Sequence, residues 1–202
     1  MENKFIVSSS PHIRSNEDTS YIMKQVILAL VPVAIAAVYY FRISALFVMF
    51  FCILGTVGSE FLYQKLTKQK STIGDCSAIV TGLLLAFNVP ASLPWWMCIL
   101  GGVFAIIVVK MLFGGLGNNF VNPALAGRAF LLASFPVAMT AWTKTGVNWV
   151  SGGSLDAVST ATPLSFLKSG AAGLAPLKES GVSLMDMALG NIGGCVGETC
   201  AI

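Results

Sequence analysis

The chain has 202 residues, 55% of them apolar and only 10% charged, with a formal net charge of +3. A soluble domain carries about 25% charged residues, so this composition excludes a water-soluble globule and leaves lipid or other proteins around most of the surface. One histidine, His12, and one short basic run, "KLTKQK", exclude a nucleic-acid partner.

Residues 1–21 have no apolar stretch of the signal-peptide kind. They are expected to remain cytoplasmic, with the first span acting as its own insertion signal. Residues 22–141 are expected to hold about five transmembrane helices. The first runs from 22 to 41, interrupted by Lys24, Gln25 and Pro32, and is long enough to cross a core of roughly 30 Å. Arg42 marks a short turn, and residues 43–63 cross back. The third span, about 75–87, is short and stops at "NVPASLP", where two prolines end it. Trp95 and Trp96 have the character of an interfacial anchor, and the fourth span continues to Val109. The fifth covers 124–141 and contains Arg128 and Pro136.

Interrupted elements are expected near 88–94 and 113–124. The stretch "FGGLGNNFVNPALAGRAF" puts irregular backbone near membrane depth, which requires shielding by protein or a cavity. "FNVPA" and "FVNPA" echo each other, and paired breaks of this kind point to broken helices near the midplane. They resemble the doubled Asn-Pro-Ala elements of water channels, so a channel or transporter-like protein is the alternative function. The simpler reading of each copy is a helix cap with a proline stop. Residues 142–183 are polar and read as a loop. Residues 184–202 read as the start of a further transmembrane segment in a longer, apparently truncated protein.

The chain offers no independent catalytic site. His12 stands alone, "FGGLGNN" lacks the strand and the Gly-Lys-Ser/Thr ending of a phosphate loop, and Cys52, Cys76, Cys98, Cys195 and Cys200 form no CxxC pair. No metal site is expected. Intramembrane charges cost about 2.5–3.5 kcal/mol at mid-helix, so each calls for a partner or a function. Glu60 is close to Lys65, and Asp75 is placed to cap the third helix. Arg128 and Glu198 have no such local account, and pairing with each other or with a ligand are both open.

Within the loop, "DAVSTAT" sets small residues between Asp156 and Thr162, leaving the Thr162 hydroxyl open and stiffened behind by Pro163. By itself this is also an ordinary Ser/Thr loop. The pattern resembles the motif at which a transferase esterifies FMN, through its phosphate, to the last threonine. Asp156, Ser159 and Ala161 match the motif, Thr162 is the acceptor, and Thr160 stands where glycine is commoner. Together with "SSSPHIR", "FGGLGNNFVNPALAGRAFLLASFPVAMTAW" and "GCVGET", the chain resembles the RnfD family of the Rnf complex. The B subunit of the sodium-pumping NADH:quinone oxidoreductase is related.

That resemblance implies an all-α polytopic membrane protein, a helix bundle with broken or re-entrant helices and an extracytoplasmic loop. It implies a redox-driven translocase linking ferredoxin and NAD to Na+ or H+ movement, with electrons passing through covalent FMN on Thr162. The related B subunit also holds riboflavin non-covalently, which makes riboflavin the second cofactor to consider. The implied partners are the other membrane and peripheral Rnf subunits, and an FMN transferase during maturation. The implied location is the inner (cytoplasmic) membrane. Counting crossings, Lys4, Arg14 and Lys24 fall on one side with Lys65, Lys68, Lys70 and Lys110, and Arg42 falls on the other. By the positive-inside rule the first side is cytoplasmic, so residues 142–183 and Thr162 are expected outside.

Overall fold

A long apolar segment in lipid must satisfy its backbone internally, and helices do so. In the computed structural model, which describes residues 17–143, 184–190 and 192–198, helices are the regular elements. They are α1 (Thr19–Phe41), α2 (Ile43–Leu66), a 3-10 turn (Ile73–Asp75), α3 (Ser77–Phe87), α4 (Trp95–Val103), α5 (Pro123–Ser134) and α6 (Pro136–Thr140), and, later in the chain, a short helix, Leu184–Leu189. α4 runs on without a break into a π-helical segment, Phe104–Met111. Among the described residues, α1 and α2 are long and apolar enough to cross a membrane. α1 is mostly exposed along its apolar length, whereas α2 is central and packs against α3, α4 and the π segment.

Close helix approach in lipid depends on small residues at the crossing. A Cβ on Gly55 of α2 would lie 2.8 Å from the Ile99 Cα of α4. One on Gly82 of α3 would lie 2.9 Å from the Ile53 Cα of α2. Cys52 and Cys98 lie in the core that these approaches create, as small apolar side chains.

The third and fourth spans behave as a pair. α3 has 11 residues, about 16 Å of helix, and is too short to cross alone. It runs antiparallel to α2, starting where Ser77 meets Lys110 and passing Gly82 against Ile53. After the Pro90–Pro94 turn, α4 returns parallel to α2, with Trp95 beside Phe51 and Ile99 beside Gly55. The pair therefore begins and ends at the same end of the bundle. α5 runs from that end, and Phe135 breaks it before Pro136 starts α6, where proline fits the first turn. The fifth span is thus two helices rather than one.

The two proline breaks are not equivalent. Asn122 caps α5, its side chain accepting from Ala124 N and Leu125 N at 2.9 and 3.4 Å with Pro123 behind it. Asn88 instead ends α3, donating back to Leu84 O at 2.8 Å. Copies of one functional element should cap alike, so this asymmetry weakens the channel alternative.

Candidate functional site

Three constellations lie outside the ordinary apolar core. The first is ionic. Glu60 and Lys110 are 0% and 2% exposed, and their charges meet at 2.7 Å. Lys110 Nζ also donates to Ser77 Oγ at 2.6 Å, and Ser77 Oγ donates to Asp75 Oδ1 at 2.6 Å. The other Glu60 oxygen accepts from Thr72 Oγ1 at 2.8 Å and Gln64 Nε2 at 3.2 Å. Both carboxylate oxygens are therefore bonded, the condition under which a buried pair is tolerable.

This arrangement corrects two sequence expectations. Glu60 pairs with Lys110, fifty residues away, and not with Lys65. Lys65 points outward, its ammonium 5.9 Å from the Phe61 ring centre. Lys110 is correspondingly a buried partner and not a free marker of membrane sidedness. The rule that singled out Arg128, a charge inside an apolar run, applied equally to Lys110 in the run 95–111 and would have found it. Asp75 lies one residue before the α3 N-cap, Cys76, and its Oδ1 accepts from the first helical amide, Ser77 N, at 2.8 Å.

The second constellation ties the later segment to the break after α3. Gly197 N donates to Phe87 O at 2.9 Å and Val196 N to Val89 O at 3.1 Å, and Cys195 and Pro90 form an antiparallel bridge. Arg128, projecting from α5, donates to Asn88 Oδ1 at 3.0 Å and lies 3.7 Å from Glu198. Its other nitrogen is 3.8 Å from Cys195 Sγ. Arg128 and Glu198, the two charges without a local account, thus meet each other. Since Arg128 is one-third exposed and Glu198 half exposed, the ion pair itself is weak, and the hydrogen bond to Asn88 is the larger contribution.

The third is an open groove of about 710 Å³ between the π segment and α5, within the usual size of a small-molecule site. Phe104, Val108, Phe113, Phe120, Leu125 and Phe130 line it. Phe104 stacks on Phe130 with centroids 4.3 Å apart and planes 5° apart. Phe113 and Phe120 meet edge to face at 4.7 Å. The lining is almost wholly apolar, and a slot with flat aromatic walls suits a planar aromatic ring.

Asp156, Ser159, Ala161 and Thr162 lie outside the described residues, as do His12 and Cys200. The described residues before the first four end just after α6, where Ser92 Oγ donates to Ala141 O at 3.0 Å.

The profile of the NQR2, RnfD, RnfE family matches residues 6–202. The chain belongs to this family. It is 46% identical over 203 residues to the D subunit of the Na(+)-translocating ferredoxin:NAD(+) oxidoreductase complex of Acetobacterium woodii, covering all of this chain and 60% of that protein. The D subunit of the proton-translocating ferredoxin:NAD(+) oxidoreductase complex of Clostridium ljungdahlii is 43% identical over 205 residues, with the same coverage. The D subunit of the ion-translocating oxidoreductase complex of Shigella boydii serotype 18 is 46% identical over 140 residues, 68% of this chain and 40% of that protein. The chain thus spans 60% of the length of the first two relatives. Family membership and the helical architecture agree: this is an all-α membrane protein.

In this family member, Arg128 is expected to hold the Cys195–Glu198 segment against α3. Arg128→Gln keeps polarity but loses the charge and the two-pronged donor. The expected result is faster amide exchange at Val196 and Gly197, and parental exchange rates at both would remove that role.

Proposed function

We propose that this chain is the flavin-carrying membrane component of an ion-translocating ferredoxin:NAD+ oxidoreductase complex, moving electrons through FMN esterified to Thr162. The observation that carries the proposal is the match along the whole chain to two proteins named as the D subunit of such complexes. Those two are named for different ions, so the proposal covers an Na+ or an H+ complex. The "DAVSTAT" motif supports the attachment point.

On this reading the threonine does no redox chemistry. FMN, when bound, supplies the electron-accepting ring, and the chain supplies tether, position and surroundings. Asp156, Ser159 and Ala161 form the sequence that an FMN transferase reads, and Thr162 Oγ becomes the phosphoester oxygen. The groove between the π segment and α5 is the proposed seat of a second, non-covalent flavin, riboflavin. The stacked and edge-on phenylalanines would hold its ring. Denaturing the purified protein in acid separates the two flavins. Flavin fluorescence that stays with the denatured polypeptide, plus riboflavin in the acid extract, is the expected pair of results. A colourless polypeptide from cells containing the transferase would refute the covalent part.

The proposed location is the inner membrane, with the N-terminus cytoplasmic and Thr162 outside. Support comes from chain direction. α1 starts beside Gly74, at the bundle end that holds Glu60, whereas α6 finishes in the other half. Because α3 and α4 come as a returning pair, the count of crossings does not depend on whether α3 spans. Ser169→Cys, in a background without the native cysteines, is expected to react with an impermeant maleimide in intact cells. Reaction only after the membrane is opened would reverse the topology.

A further inference from the structure

Wide-turn helices such as the π segment are rare and short, and they concentrate at functional positions. Here the i→i−5 bonding continues past the segment, from Leu112 N to Ile107 O at 3.1 Å and from Gly115 N to Lys110 O at 2.9 Å. Exposure follows the same wide period. Phe104, Val108, Val109 and Phe113 line the groove, while Ala105, Ile106, Lys110 and Met111 are buried away from it.

An ordinary α-helix would not produce this pattern. At about 100° per residue, Met111, seven residues after Phe104, would share its face, and Phe113 would point roughly opposite. In the wide register the two exchange places. Phe113 comes under Phe104 to complete the groove wall, and Met111 turns into the core. The buried face then carries Lys110 to Glu60 and Ser77.

We infer that the Glu60–Lys110 ion pair is a positioning device: it fixes the wide register of residues 104–111 and thereby aligns Phe104 and Phe113 as the wall of the flavin groove. Neither charge touches the groove. Glu60 and Lys110 act through the helix, whose one face they anchor and whose other face contacts the ligand. The inference rests on the proposed riboflavin seat for its consequence, but the register itself is measurable without any flavin.

The test uses the full-length protein assembled in its complex. Single removal of either charge risks misfolding, so the main variant is Glu60→Leu with Lys110→Met, which removes both charges together. Into this and the parental background, each lacking native cysteines, Met111→Cys or Phe113→Cys is introduced and probed with a small membrane-permeant maleimide. Parental protein should react at position 113 and be protected at 111, and the double variant should show the reverse. Riboflavin recovered by acid extraction should fall by roughly tenfold in the double variant and stay near parental in Lys110→Arg, which keeps the charge. Protection at 111 and parental riboflavin in the double variant would overturn the inference. A failure of the groove reading looks different: Phe104→Ala, with the ion pair intact, would then leave riboflavin content unchanged.

Discussion

Thr162→Val, purified from cells containing the FMN transferase and then denatured, is expected to give a band without flavin fluorescence. The parental band should fluoresce. The effect is all or none because a phosphoester needs an oxygen nucleophile, and valine offers a methyl group of similar size in its place. Residues 144–183 are largely small and polar, so the substitution removes no large apolar group and the polypeptide should accumulate normally. The sequence supplies an internal control. Ser159 and Thr160 are hydroxyls within three residues of the target, and peptide mass should find the FMN adduct on neither. A Val variant that remains fluorescent would move the attachment to one of them or out of the loop. If fluorescence persists with no adduct in this peptide at all, the motif assignment is wrong. Asp156→Asn should reduce the yield of adduct without abolishing the acceptor, because the acid belongs to what the transferase reads.

The second large effect is on stability. Lys110→Met leaves the Glu60 carboxylate at 0% exposure with Thr72 and Gln64 as its remaining partners. Breaking a buried pair from one side costs about 3–5 kcal/mol, since an uncompensated charge stays behind. Glu60→Leu added to Lys110→Met should recover much of that loss, because the charge that needed a partner is gone. Lys65→Met is the control. Lys65 is exposed beside Phe61, and its removal should change stability by no more than about 0.5 kcal/mol. Thermal unfolding midpoints in one detergent, scanned at one rate, would rank the four proteins. The expected order is parental and Lys65→Met highest, the double variant next and Lys110→Met lowest. A Lys110→Met protein as stable as the parent would show that the pair is energetically idle.

Much of this molecule was legible along the chain because the relevant physics is short-range. The dearth of charge excluded a soluble surface. Apolar run length located the first two spans to within a few residues, and proline with asparagine marked where helices stop and start. Asn122 was readable as a cap, and Asp75 as an acceptor at the start of α3, since such bonds reach backbone only two or three residues away. The family resemblance was also legible in contiguous motifs, and "DAVSTAT" remains a reading of sequence, with its residues outside the described structure.

What the chain order could not decide was who meets whom across the bundle. Lys65 is the neighbour of Glu60 in sequence, yet α2, α3 and the π segment converge so that Lys110 reaches it and Lys65 faces away. The register of residues 104–111 was equally hidden. A span that is apolar on every side carries no periodic signal, so its composition fits a 3.6-residue turn and a wider one alike. The groove, the Phe104–Phe130 stack and the clasp of Cys195–Glu198 onto Asn88 follow from that packing. Local preferences determined the helices and their ends. Burial of a few charges, which must find partners wherever the helices bring them, decided the rest.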